Sequence, residues 1–388
     1  MELARRIQTI TPSITLSITA KARQMKAQGL DVIDFGAGEP DFQTPLYIRE
    51  AAKTSIDEGF TKYTATSGIE ELKVAICKKL KVDNGLSYKP SGICVCCGAK
   101  HAIYEVLQVL CQDGDEVIVP SPYWVSYPEM VKFSGAKPII VQTKPEDNFK
   151  LTSKVLEPSI TKRTKVLILN SPSNPTGSVY TKDELKDLRA IATSHGIWVI
   201  SDEIYEKIIY DGVQHISIAS LGDDIFKSTI VINGVSKTYS MTGWRIGYLA
   251  GPEAVAKAAS TLQSHSTSNP TSISQKAALA ALLGDQRCVE QMAEEFARRR
   301  DYMIERVTNI EKITSTKPRG AFYLFCDVSR LGMDSVGLAT TLLEEAKVAV
   351  IPGAGFGCDT HIRLSFARRM EEIREGMDRI EKFVKAKR

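Results

Sequence analysis

Apolar residues along this chain come mostly in short unbroken runs, separated by stretches with helical periodicity. ICVCC (93–97) precedes an amphipathic stretch from Lys100 to Leu110, and EVIVP (116–120) leads through an aromatic turn to PIIVQ (138–142). KVLILN (165–170) passes through a Pro/Gly loop into DELKDLRAIATSHG, a helix that stops at Gly196. IWVISDE (197–203), TIVING (229–234) and IGYLAG (246–251) follow. Continuous Val/Ile-rich strands separated by helices predict strands buried on both faces of a mostly parallel sheet. In such α/β sheets ligands gather beyond the carboxyl ends of the strands.

The pattern changes after about Ser272. A long helical stretch from Ile273 through Val307, broken near Gly284, is charged on one face and apolar on the other. AFYLFCDV (321–328), VAVIPG (348–353) and HIRLSF (361–366) read as strands, and a charged helix closes the chain. The expected architecture is a large α/β domain, its mostly parallel sheet covered by helices, with a smaller α+β domain. The expected boundaries are 1–45 for an N-terminal segment packing with the small domain, 46–285 for the large domain and 286–388 for the small one.

Composition narrows the function classes. The 388 residues are 43% hydrophobic and 25% charged, the balance of a globular protein. A formal net charge of +4, evenly scattered, is too small for a nucleic-acid or membrane-surface footprint. No stretch approaches the roughly 18–20 apolar residues of a bilayer span, and the first residues lack the apolar run of a secretory signal. The eight cysteines lack metal-ligand spacing, and only five histidines accompany them. Free thiols in a reducing cytoplasm, with no metal, are expected.

Two decoys fail on context. GAGFG (353–357) precedes a strand rather than a helix, so no helix N-terminus is available to hold a pyrophosphate. SGAK (134–137) fits S-x-x-K but lacks its SDN and KTG partners. The polar residues at strand ends remain: GAGEPDF (36–42), GAKHA (98–102), NSPSNPTG (170–177), SDEIY (201–205) and SKTYSMTGWRIGY (236–248). Singly each has an ordinary explanation, such as a turn at Asn174-Pro175 or a helix cap at Asp202.

Together and in order, these segments and the late Arg of HIRLSF resemble the class I aminotransferases, the fold-type I pyridoxal-phosphate enzymes. The resemblance spans nearly the whole chain and is nearest to the bacterial and plastid aspartate aminotransferase branch. It implies pyridoxal 5′-phosphate tethered to Lys237, and Asp202 against the pyridine nitrogen. Asn174 and Tyr205 then fall at the phenolic oxygen, and Trp124 is stacked on the ring. Ser236, Arg245 and the backbone N–H groups of Ala99 and Lys100 fall at the phosphate. Tyr63 resembles a tyrosine that reaches the phosphate of a neighbouring subunit, which implies a homodimer with shared active sites.

For the substrate, Arg363 matches the α-carboxylate anchor, Gly38 a backbone contact beside it, and Lys100 with Thr15 the pair that binds the distal carboxylate. The implied reaction is ping-pong transfer of an amino group between L-aspartate and 2-oxoglutarate. Prephenate or other aromatic substrates, and a carbon–sulfur lyase on the same fold, stay open at this point. A transcription regulator on this fold would carry an added DNA-binding module, for which the early start of the pattern leaves no room.

Overall fold

The computed structural model describes residues 4–11 and 14–387. Seven strands form its large sheet: β1 (Ile93–Cys96), β2 (Glu116–Ser121), β3 (Lys137–Gln142), β4 (Thr164–Asn170), β5 (Trp198–Asp202), β6 (Thr229–Gly234) and β7 (Gly247–Ala250). Their order is β1-β7-β6-β5-β4-β2-β3. All neighbours from β6 across to β3 are parallel, while β7 runs antiparallel to both β6 and β1. The seven apolar runs supply these seven strands, because strands covered on both faces need no polar alternation. β6 is buried at every position, whereas the edge strand β3 exposes Lys137, Ile140 and Gln142.

Helices cover both faces. Ala99–Leu110 connects β1 to β2, and Lys182–Ser194 connects β4 to β5. The second opens on a capping box, in which Thr181 accepts from the Glu184 N–H and the Glu184 carboxylate accepts from the Thr181 N–H. The stretch expected to break near Gly284 is two helices, Ser272–Leu283 and Arg287–Thr308. Glycine is needed between them, since a Cβ there would lie 2.3 Å from the Tyr47 ring.

A second sheet has the order Ile351–Pro352, His361–Ser365, Tyr323–Asp327 and Thr314–Ser315, antiparallel throughout. VAVIPG, expected as one strand, is divided between sheets. Val348–Ala349 pairs in parallel with Ile33–Asp34, and Ile351–Pro352 pairs with the strand that carries Arg363. Both halves are buried, so the apolar run carries no mark of the division. The helix Ile14–Ala27 lies against this part of the molecule, with Ile18 and Ala22 buried in one apolar cluster with Val350, Ile351 and Phe356. No helix among the described residues is long and apolar enough to cross a membrane.

Candidate active site

A cleft of about 630 Å³ opens where β4, β5 and β6 end, between them and the second sheet. Asn170 and Asp202 are the last residues of β4 and β5, and Lys237 follows β6 by three residues. Eleven of the thirteen expected site residues line this cleft: Gly38, Ala99, Lys100, Trp124, Asn174, Asp202, Tyr205, Ser236, Lys237, Arg245 and Arg363. Tyr63 does not, and is 89% exposed. Thr15 falls in the helix Ile14–Ala27, but its side chain lies outside the described residues.

Lys237 Nζ donates to the Gly38 carbonyl at 2.5 Å and lies 5.9 Å from the Tyr205 and Phe322 ring centroids. Burial lowers its pKa to about 8, with Arg363 and Arg245 adding to the effect and Glu39 and Asp202 opposing it. Its amine therefore loses its proton far more readily than a solvated lysine.

Asp202 is buried at the floor. Its Oδ2 accepts from the Tyr127 hydroxyl at 2.6 Å and its Oδ1 from the Ile204 N–H at 3.2 Å. Desolvation outweighs these donors and raises its pKa to about 6. Such a carboxylate is stabilised in its charged form by any cation that reaches it. No helix follows β5; Asp202 bonds the turn two residues on instead of capping a helix.

The next corner brings Arg245 to the start of the helix Ala99–Leu110. Gly98 immediately precedes this helix with φ +94°, and a Cβ on it would lie 2.3 Å from Arg245 Nη2. Arg245 donates to the Thr242 and Cys97 carbonyls, at 2.8 and 3.2 Å. The N–H groups of Ala99 and Lys100 open the helix and so have no intrahelical acceptor. With a guanidinium beside them, they form a corner suited to an anion. Lys100 Nζ lies 4.8 Å over the Trp124 ring, and its pKa is lowered by burial and then by Arg245.

Arg363 forms the opposite end and is 4% exposed. Its Nη1 donates to Asn174 Oδ1 at 2.9 Å and its Nη2 to the Gly36 carbonyl at 3.0 Å. The guanidinium packs 4.2 Å from the Tyr323 ring centroid. Its Nε is buried and has no hydrogen-bond partner among the described residues. A buried guanidinium with an unused donor, beside a cleft, is arranged to receive a carboxylate.

The family described as "Aminotransferase class I and II" matches residues 30–380. The chain belongs to that family. The aspartate aminotransferase of Geobacillus stearothermophilus is 50% identical to it over 100% of both chains. That of Bacillus sp. (strain YM-2) is 52% identical over 99% of both. The crystal structure of the aspartate aminotransferase from Rhizobium meliloti superposes with a TM-score of 0.96 at 39% identity, covering 99% of each chain.

The cleft also holds residues that the sequence did not single out. Tyr127 braces Asp202, and Tyr323 bonds the Tyr205 hydroxyl at 2.9 Å while carrying Arg363 on its ring. Glu39 accepts from Thr242 at 2.7 Å and faces Lys237. Tyr127 had one visible signal: it lies three residues beyond Trp124, a helical neighbour spacing. Thr19, Arg23 and Lys26 line the cleft from the helix Ile14–Ala27.

Proposed function

We propose that this aminotransferase moves the amino group of L-aspartate to 2-oxoglutarate, using pyridoxal 5′-phosphate tethered to Lys237 Nζ. The supporting observation is the convergence on one cleft of an amine lowered to about 8, a desolvated carboxylate raised to about 6, and a buried guanidinium with a free Nε. The residues fit that cofactor. Asp202, short of a positive partner, suits a protonated pyridine nitrogen; Ser236, Arg245 and the Ala99 and Lys100 N–H groups suit a phosphate. Asn174 and Tyr205 suit the phenolic oxygen, and Trp124 suits the ring face. When bound, the cofactor supplies an electron sink for the charge left at the substrate Cα.

The chain's own residues carry the rest. Arg363 grips the α-carboxylate, with the Gly38 backbone beside it, and this orients the Cα–H bond. Lys237 Nζ takes the Cα proton of the amino acid and, once the 2-oxo acid has entered, delivers a proton to the corresponding carbon of that substrate, a task for which a lowered pKa suits it. Lys100 and Thr15 receive the distal carboxylate of the dicarboxylic substrate. Tyr63, exposed and not lining its own cleft, supports a homodimer in which it completes the site of the other subunit.

Aspartate added to the purified holoenzyme without an acceptor should release one equivalent of oxaloacetate per subunit. Steady turnover should begin only when 2-oxoglutarate is supplied. Release of pyruvate and ammonia from cystathionine, with no oxaloacetate from aspartate, would instead identify an elimination enzyme. A preference for prephenate over 2-oxoglutarate would overturn the substrate assignment alone.

A further inference from the structure

Among the described residues, the cleft wall carries seven basic side chains and three carboxylates. Four of the basic groups are committed to the protein. Arg363 and Arg245 donate to protein oxygens, Lys237 donates to Gly38, and Arg368 pairs with Asp34 at 3.2 Å. The other three face the cleft without an acceptor among the described residues: Lys100 on the Trp124 ring, and Arg23 and Lys26 on the helix Ile14–Ala27.

The excess of four positive charges has a chemical counterpart. A phosphate ester contributes about −2 at neutral pH, and a dicarboxylic substrate adds two further negative charges. Thr19, Arg23 and Lys26 are spaced by four and three residues, which puts them on one helix face. Helical side chains lean toward the N-terminus of their helix, so Arg23 leans back along this stripe toward the preceding turn, which holds Thr19. The helix is held by the burial of Ile18 and Ala22 on the adjoining face, so the stripe is presented on a fixed support.

We propose that Arg23 is an anchor for the side-chain carboxylate of the dicarboxylic substrate, acting with Lys100 from the N-terminal helix. This rests on the aminotransferase reading above and adds a residue to its specificity site. The guanidinium offers two parallel N–H donors to a carboxylate, which the single ammonium of Lys26, nearly one turn farther along the helix, does not.

The test uses the holoenzyme and its Arg23→Gln and Arg23→Lys variants. For Arg23→Gln, kcat/KM with aspartate and with 2-oxoglutarate should fall about tenfold, while values with alanine and phenylalanine stay within about twofold. The calorimetric Kd of maleate, a dicarboxylate without an amino group, should rise by a similar factor, and Arg23→Lys, which keeps the charge but loses the fork, should recover only part of both losses. Equal losses with alanine and with aspartate would make Arg23 a purely structural residue and overturn the proposal. Unchanged dicarboxylate kinetics and maleate binding would also overturn it. If the wild-type enzyme itself shows no preference for dicarboxylates, the substrate assignment fails and the anchor falls with it. A wild-type preference that survives Arg23→Gln defeats the anchor alone.

Discussion

On the wall formed by the ends of the two sheets, Asp202, Lys237, Arg245 and Arg363 are each held by protein neighbours, whereas on the wall formed by the helix Ile14–Ala27 Arg23 and Lys26 are exposed and uncommitted among the described residues. Asp202 is bonded by Tyr127, Lys237 by Gly38, and Arg245 by two carbonyls. Arg23 and Lys26 line the same cavity with no such partners among the described residues. The first arrangement is preorganised, with electrostatic groups fixed before the ligand arrives, so little reorganisation is needed during reaction. The second leaves cations whose partner must come from the ligand. On the proposed reading, chemistry common to every substrate belongs to the sheet wall, and discrimination among substrates to the helix wall together with Lys100.

Substitutions on the sheet wall should harm every substrate alike. The largest effect is expected for Asp202→Asn, which keeps shape and removes charge: kcat should fall about 10³-fold with aspartate and with alanine. The same variant has a stability signature. Because the folded-state pKa of Asp202 is raised to about 6, its ionisation opposes folding of the cofactor-free protein. The favourable protonated state is complete below the unfolded value near 4 and is lost as pH rises through about 6. Cofactor-free Asp202→Asn should therefore gain in Tm over the cofactor-free wild type as pH is raised past 6. Thermal melts at pH 5 and pH 8 measure this directly.

Arg363→Lys comes next. It keeps a charge but loses the fork, along with the bonds to Asn174 and Gly36. We expect kcat/KM to fall about 10²-fold for all amino acids, seen mainly as a higher KM. A loss restricted to dicarboxylates would move Arg363 to the discriminating side of the comparison. Tyr127→Phe should have the smallest effect, a three- to tenfold fall in kcat, since one of two donors to Asp202 is removed. Stopped-flow single turnovers separate this change from any change in product release.

The two walls also differed in how far the sequence revealed them. The sheet wall was legible because unusual polar residues stand at or just beyond the ends of continuous apolar runs, as Asp202 does directly after WVIS and Asn174 four residues after KVLILN ends. A buried strand that ends in such residues delivers them to its carboxyl edge. The helix wall was not legible. ITLSITA (14–20) alternates apolar and polar residues in the manner of a strand, yet it lies in a helix held by tertiary packing of Ile18 and Ala22. Arg23 and Lys26 therefore carried no predicted face. Tyr323 was hidden for a different reason: it sits in an apolar strand, and its contacts with Tyr205 and Arg363 cross 118 and 40 residues of sequence. The division of 348–352 between two sheets was likewise invisible in a uniformly apolar run.

The site account turns on a covalent link at one nitrogen, and that link can be trapped. Holoenzyme reduced with borohydride, digested and mapped by mass spectrometry should carry the cofactor's mass on a single peptide, at Lys237, with no labelling after prior Lys237→Ala substitution. Labelling of a different lysine, or of none in protein that is catalytically active, would contradict it.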